Sequence, residues 1–365
     1  MGLDTRLDVG PAPAGEPTDG PLTFEELQLA GRNRGMPLEA LRYDLTPTGL
    51  HYLLIHFDIP AVDASAWRLK VGGRVRTQRE LTLDEIRAMP ARTLAVTMEC
   101  AGNGRARLSP RPMSQPWLVE AIGTAEWTGT PLAPILEEAG LSADTVELVF
   151  TGADRGVQGD EEQDYGRSLS VPDAMRPEVL LAYEMNGEPL QPQHGFPLRL
   201  LVPGWYGMTS VKWLTSIEAV AEPFDGYQQA RAYHYQRDAD DPGEPVTRIR
   251  VRALMAPPGI PDFFTRRRFV DAGPVRLAGR AWSGSGPIAR VEVGVDGTWA
   301  DADLDRPVGD YAWRGWSFQW QATTGDHELS CRATDAAGEV QPVEQPWNYQ
   351  GVGNNLVQRV AVSVR

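Results

Sequence analysis

The sequence predicts an α+β region followed by an all-β sandwich, and three observations carry that expectation. Short helix-starting signals alternate with strand-like runs up to about residue 235. Beyond the acidic stretch Asp238-Ala-Asp-Asp-Pro-Gly-Glu-Pro245 the helical pattern vanishes and only strand-like runs remain. With 37 glycines and 30 prolines in 365 residues, turns are too frequent for a helical bundle.

Residues 1–21 scatter Pro, Gly and acidic residues and read as a flexible acidic tail. Neither the basic start and apolar run of a secretory signal nor paired arginines occur there, so the expected location is cytoplasmic unless a leader was removed. Thr23-Phe-Glu-Glu26 is a capping box opening a short helix that should end before Gly31. His51-Tyr-Leu-Leu-Ile-His-Phe-Asp58 reads as a buried strand, and Trp67–Val71 as a strand entering the Gly72-Gly73 turn. Thr82-Leu-Asp-Glu85 is a second capping box whose helix Pro90 closes. Thr130-Pro131 starts a helix that Gly140 ends. Val146–Phe150 is a strand leading into an acidic loop, Gly152–Gly166. Leu180–Met185, the turn signal Asn186-Gly187 and Pro197–Val202 complete the first part.

Residues 22–240 thus form one expected domain, with Asp238–Pro245 as its exit linker. In 241–365, strand-like runs at Thr247–Leu254, Val275–Ala281, Ala289–Val295, Trp316–Ala322, His327–Ala333 and Val357–Val364 suggest an immunoglobulin-like sandwich. The net charge of −14 argues against a nucleic-acid partner, which needs a basic face, and no apolar run is long enough to span a membrane. Two cysteines, Cys100 and Cys331, exclude a disulfide framework or multi-cysteine metal site; Cys331 reads as a core residue.

The stretch around which the rest is organised is Thr93-Leu-Ala-Val-Thr-Met-Glu-Cys-Ala-Gly-Asn-Gly-Arg105. A strand ends near Glu99. Gly102, Asn103 and Gly104 can then take positive φ and turn backbone N–H groups toward Cys100, with Arg105 close behind. That setting favours a thiolate. From spacing alone Cys100 is either a buried free cysteine or a thiolate metal ligand.

The words Cys100-Ala-Gly-Asn103 followed by Arg105 resemble the molybdenum-ligating segment of the sulfite oxidase family. Val179–Leu190, His194–Gly204, Gly207–Leu214 and Pro346–Asn355 resemble further segments of that family in the same order. The resemblance implies a molybdenum–molybdopterin cofactor with one pterin and Cys100 as its protein ligand. It implies pterin contacts from Tyr52, Leu53, Leu54, Ile55 and His56, and hydrogen-bond acceptance by Asp154. It assigns phosphate and pterin contacts to His194 and Arg199, and backbone donors and a cation to Ser210, Val211 and Lys212. For a small oxyanion substrate it implies Arg105, Tyr233, Arg359 and Trp117. The expected reaction is oxidation of sulfite to sulfate in a homodimer made by the C-terminal sandwich. Electrons pass to an external acceptor, a cytochrome or oxygen, because no haem is expected in this chain.

Two departures bear on substrate. Leu54 and Gly104 stand where members of the family place further arginines, which makes the pocket less cationic. Reduction of nitrate or of an S- or N-oxide on the same cofactor, or an inactive dimeric binding protein, are the alternative readings.

Overall fold

The computed structural model describes residues 18–344 and 346–365. The tail expected over 1–21 lies outside these residues up to position 17. Its last part is held: Thr18 exchanges two backbone hydrogen bonds with Arg111, at 2.8 and 2.9 Å.

Two five-stranded sheets build the first half. One runs in the order Arg79–Leu81, Leu69–Gly73, Leu214–Val220, Glu147–Gln158, Glu161–Ser170, with Leu69–Gly73 and Leu214–Val220 parallel. The other runs Arg92–Glu99, Ile122–Pro131, Leu180–Met185, Glu188–Pro189, and Arg199–Leu201 also pairs with Leu180–Met185. Both capping boxes form, at Thr23–Glu26 and Thr82–Glu85, starting helices Phe24–Arg32 and Leu83–Ala88. The first helix continues past Gly31 to Arg32, because its stop is Asn33, an extended cap whose side chain is committed to distant partners. Helix Leu132–Ala139 ends at Gly140 in the left-handed region, as its sequence predicts.

Two expectations fail for one reason: backbone polar groups found partners that periodicity does not reveal. His51–Asp58 is not a strand. Among the described residues its one strand-like contact is an isolated bridge between Leu53 and Arg34. The Ile55 N–H donates to Asn33 Oδ1 at 2.7 Å, and the Leu54 carbonyl accepts from Lys212 Nζ at 2.7 Å. Conversely, Gly152–Gly166 is no loop. It is most of a long hairpin, Glu147–Gln158 with Glu161–Ser170, turning at Gly159 and Asp160, both at positive φ. The acidic stretch Asp238–Pro245 is likewise more ordered than a linker, since Glu244–Pro245 pairs with His234–Tyr235.

From Arg252 onward a four-stranded and a six-stranded sheet share one core. Trp316 and Leu277 face Val293, Cys331 and Val362 across it, and Cys331 is fully buried. A further apolar cluster joins the halves, bringing Met36, Ala101, Val119 and Tyr206 against Leu254, Trp282, Trp313 and Val352. Among the described residues no helix is long and apolar enough to cross a membrane.

Candidate active site

Cys100 follows the last residue of strand Arg92–Glu99 and begins a tight loop. Its N–H donates to the Ala121 carbonyl at 3.0 Å, and its carbonyl accepts from Asn103 at 2.9 Å. Asn103 locks the loop: its Nδ2 donates to Glu99 Oε1 and the Val119 carbonyl, and its Oδ1 accepts from the Ala121 N–H. Of the three residues expected to reach positive φ, only Gly104 does, at 91°. Gly102 serves a different need. The Arg105 guanidinium lies against it, and a Cβ there would come within 2.8 Å of Arg105 Nη1.

The second half of the chain clamps this loop. Arg252 Nη1 donates to Glu99 Oε1 at 2.7 Å and to the Asn354 carbonyl at 3.0 Å, while Trp282 Nε1 donates to Glu99 Oε2 at 2.8 Å. Gly353 N–H reaches the Ala101 carbonyl at 2.7 Å, and Asn354 Nδ2 the Gly104 carbonyl at 2.8 Å.

Two cavities meet at the Cys100 side chain, with Leu54, His56 and Tyr233 also lining both. The inner one gathers His51, Tyr52, Leu53, Asp154, His194, Arg199, Ser210 and Lys212. Several polar atoms around it are buried with no hydrogen-bond partner among the described residues: His51 Nε2, Asp154 Oδ1 and Arg199 Nε. Buried polar groups are normally satisfied, so three orphans around one cavity mark a place for a polar ligand. The rest of the Arg199 fork is spent, on the carbonyls of His194 at 3.1 Å and Ser210 at 2.9 Å, and the guanidinium packs 4.9 Å from the Trp127 ring centroid.

Burial sets the ionisation here. It pushes His51 down to about 4 and His194 down to about 2, the latter further opposed by His51 and Arg199, so both are neutral hydrogen-bonding rings at pH 7. It lowers Lys212 and raises Asp154, and the opposite charge of each partly counters the effect on the other. Burial also raises the Cys100 thiol. The Gly102 N–H, the Arg105 charge and the Trp117 indole oppose that shift without overcoming it. The loop alone therefore does not produce the thiolate expected from sequence. A bound cation would be required to do so.

The outer cavity has a volume of about 940 Å³ and includes Arg105, Trp117, Gln115, Tyr227, Tyr349 and Gln350. Arg105 is buried, and its Nε donates to the Gln350 carbonyl at 3.1 Å. Among the described residues no carboxylate pairs with its guanidinium, so the charge is free for an anion. Trp117 Nε1, buried with no full hydrogen bond, lies near the thiol. Tyr233 sits at φ 63°, an uncommon conformation for a bulky residue, and burial pushes its hydroxyl up to about 12.

The chain matches two domain families. Residues 56–228 match the oxidoreductase molybdopterin binding domain and residues 250–365 the Mo-co oxidoreductase dimerisation domain. The mitochondrial sulfite oxidases of Mus musculus and Homo sapiens are 34% and 35% identical to it over 345 residues, 88% of this chain. The chain belongs to the sulfite oxidase family. It spans 62% of the length of those two relatives. The NADH nitrate reductase of Solanum lycopersicum is 30% identical over 93% of this chain and 41% of its own length. In fold, the sulfane dehydrogenase SoxCD of Paracoccus pantotrophus superposes with a TM-score of 0.79 at 23% identity, covering 100% of this chain and 96% of that one.

Measured against the residues that family resemblance implies, the structure brings together Cys100, Arg105, Trp117 and Tyr233, and it sets Tyr52, Leu53, Leu54, His56, Asp154, His194, Arg199, Ser210 and Lys212 around the inner cavity. Ile55 lines the outer cavity instead. Two residues fall elsewhere. Val211 points into the core, with its N–H given to Thr209 and its carbonyl to Leu200. Arg359 alternates outward on strand Gln358–Val364, half-exposed and paired with Glu328 at 2.6 Å. Sequence reasoning missed His51, Tyr165 and Gln350 as lining residues. For Gln350 a signal existed, since it lies inside the family-like segment Pro346–Asn355.

Proposed function

We propose that this chain is a molybdoenzyme that oxidises sulfite to sulfate as a homodimer, with Cys100 as the protein ligand to a molybdenum–molybdopterin group. The observation that carries the reading is the position of the Cys100 thiol. It stands between a cavity ringed by orphaned polar atoms and a cavity holding an unpaired guanidinium.

The residues present fit such a group. Asp154 Oδ1 would accept from ring N–H groups, His51 Nε2 and Arg199 Nε supply two unclaimed polar atoms, and Lys212 adds positive charge for a phosphate. When bound, the group would supply oxygen-atom transfer and a two-electron sink. The protein's own part is binding, orientation and electrostatics. Arg105 holds the oxyanion by a charge-assisted hydrogen bond. Trp117 closes the wall beside the thiol and excludes water. Tyr233, fully protonated at neutral pH, donates a hydrogen bond to a substrate oxygen. The balance is sulfite plus water to sulfate, two protons and two electrons, the electrons leaving to an external acceptor such as a cytochrome or oxygen. Homodimer formation is supported by the dimerisation-domain match over residues 250–365.

Nitrate or S-/N-oxide reduction is favoured by one specific observation. Leu54, an apolar side chain, borders both cavities at a position where the family resemblance implies an arginine. Protein produced in a host that makes the cofactor decides between them. Molybdenum near one per chain with ferricyanide reduction by sulfite is the expected result. Turnover of nitrate with a reduced dye and none of sulfite would support the second reading. Absence of molybdenum would leave an inactive binding protein.

A further inference from the structure

Tyr233 and Arg105 lie far apart in sequence, and one residue from near the end of the chain reaches both of their segments. The Gln350 carbonyl accepts from Arg105 Nε at 3.1 Å. Its side-chain Oε1 accepts from the His234 N–H at 3.2 Å, and its Nε2 donates to the Arg231 carbonyl at 2.8 Å and to Gln236 Oε1 at 2.6 Å. The neighbouring Tyr349 N–H adds a bond to the Gln236 carbonyl at 2.7 Å. The segment so held contains Tyr233 in its left-handed conformation, which persists only where surroundings over-determine it.

We propose that Gln350 is a positioning residue, a clasp that holds the Tyr233 segment against the Cys100–Arg105 loop and so sets the placement of the Tyr233 hydroxyl toward the substrate. The geometry divides its labour. The backbone carbonyl serves Arg105 and survives any substitution. The side-chain amide serves residues 231–236 alone. It uses both of its donors and its acceptor there, so it is satisfied by the protein itself and needs no ligand to explain its orientation. The proposal rests on the reading of Tyr233 and Arg105 as substrate groups.

Gln350→Met keeps the side-chain length and removes all three side-chain hydrogen bonds. Two readouts are expected to move together. Hydrogen exchange at the His234 amide rises about tenfold or more, with the amides of residues 101–105 unchanged. In the molybdenum-loaded enzyme kcat with sulfite falls about tenfold, while KM stays within about threefold because Arg105 keeps its contact. A double-mutant cycle excludes general loosening: in a Tyr233→Phe background, Gln350→Met then costs less than about twofold. Unchanged exchange at His234, or additive losses in the cycle, would overturn the clasp. If the wild-type loaded enzyme oxidises no sulfite while exchange still rises, the clasp stands and the sulfite reading falls.

Discussion

At the scale of single residues, the site depends on which groups are spent and which are free. Cys100→Ser changes almost no volume but replaces a soft donor with a hard one. The expected outcome is a protein that folds and binds pterin but does not turn over sulfite, checked by pterin fluorescence, metal analysis and steady-state assay. Arg105 offers the unpaired guanidinium of the outer cavity, so Arg105→Met is expected to raise KM for an oxyanion about ten- to a hundredfold, from a charge-assisted hydrogen bond of about 1.5–3 kcal/mol. Arg359→Met, by contrast, removes an exposed pair with Glu328 and should change neither KM nor stability measurably.

At the scale of elements, the loop after strand Arg92–Glu99 is set by its glycines and by Asn103. Gly104→Ala would force a Cβ to within 2.9 Å of Asn354 Nδ2 at φ 91°. The backbone cost alone is about 1–2 kcal/mol, readable as a lower urea midpoint with an unchanged slope. This loop was legible in the sequence because its signals are local: a strand, then Gly-Asn-Gly, then Arg. The capping boxes and the Gly140 stop were legible for the same reason. His51–Asp58 was not, because Asn33 and Lys212 complete its backbone from a distance. Arg359 misled because a one-residue change of position on a strand reverses the face, a property that no motif match encodes. Gln350 was hidden by the opposite problem, its partners being remote in sequence although its own segment is recognisable.

At the scale of the whole molecule, the two halves are joined through charge as well as hydrocarbon. Arg252 and Glu99 are both essentially inaccessible, at 1% and 2% side-chain exposure, and they join the second half to the residue preceding Cys100. Arg252→Ala strands a buried carboxylate and is expected to cost about 3–5 kcal/mol. The double variant Glu99→Gln, Arg252→Met should recover much of that loss, which chemical denaturation would measure. Acid should unfold the cofactor-free protein through its buried imidazoles. His51 is neutral when folded, with its pKa near 4 against 6.5 when free, so the unfolded chain binds more protons. Stability from this residue is full above pH 6.5 and falls as pH drops toward 4, by up to about 3 kcal/mol. A His51→Gln variant is expected to show a flatter melting temperature over that window.

The clamp on the Cys100 loop has a consequence for biogenesis. Gln350, Gly353 and Asn354 belong to a segment translated after every other part of the pocket it closes. A nascent chain therefore exposes an unfinished, open cradle until those residues emerge from the ribosome. Cofactor loading is expected to follow the synthesis of those residues, and a chain cut short before Tyr349 should retain little pterin.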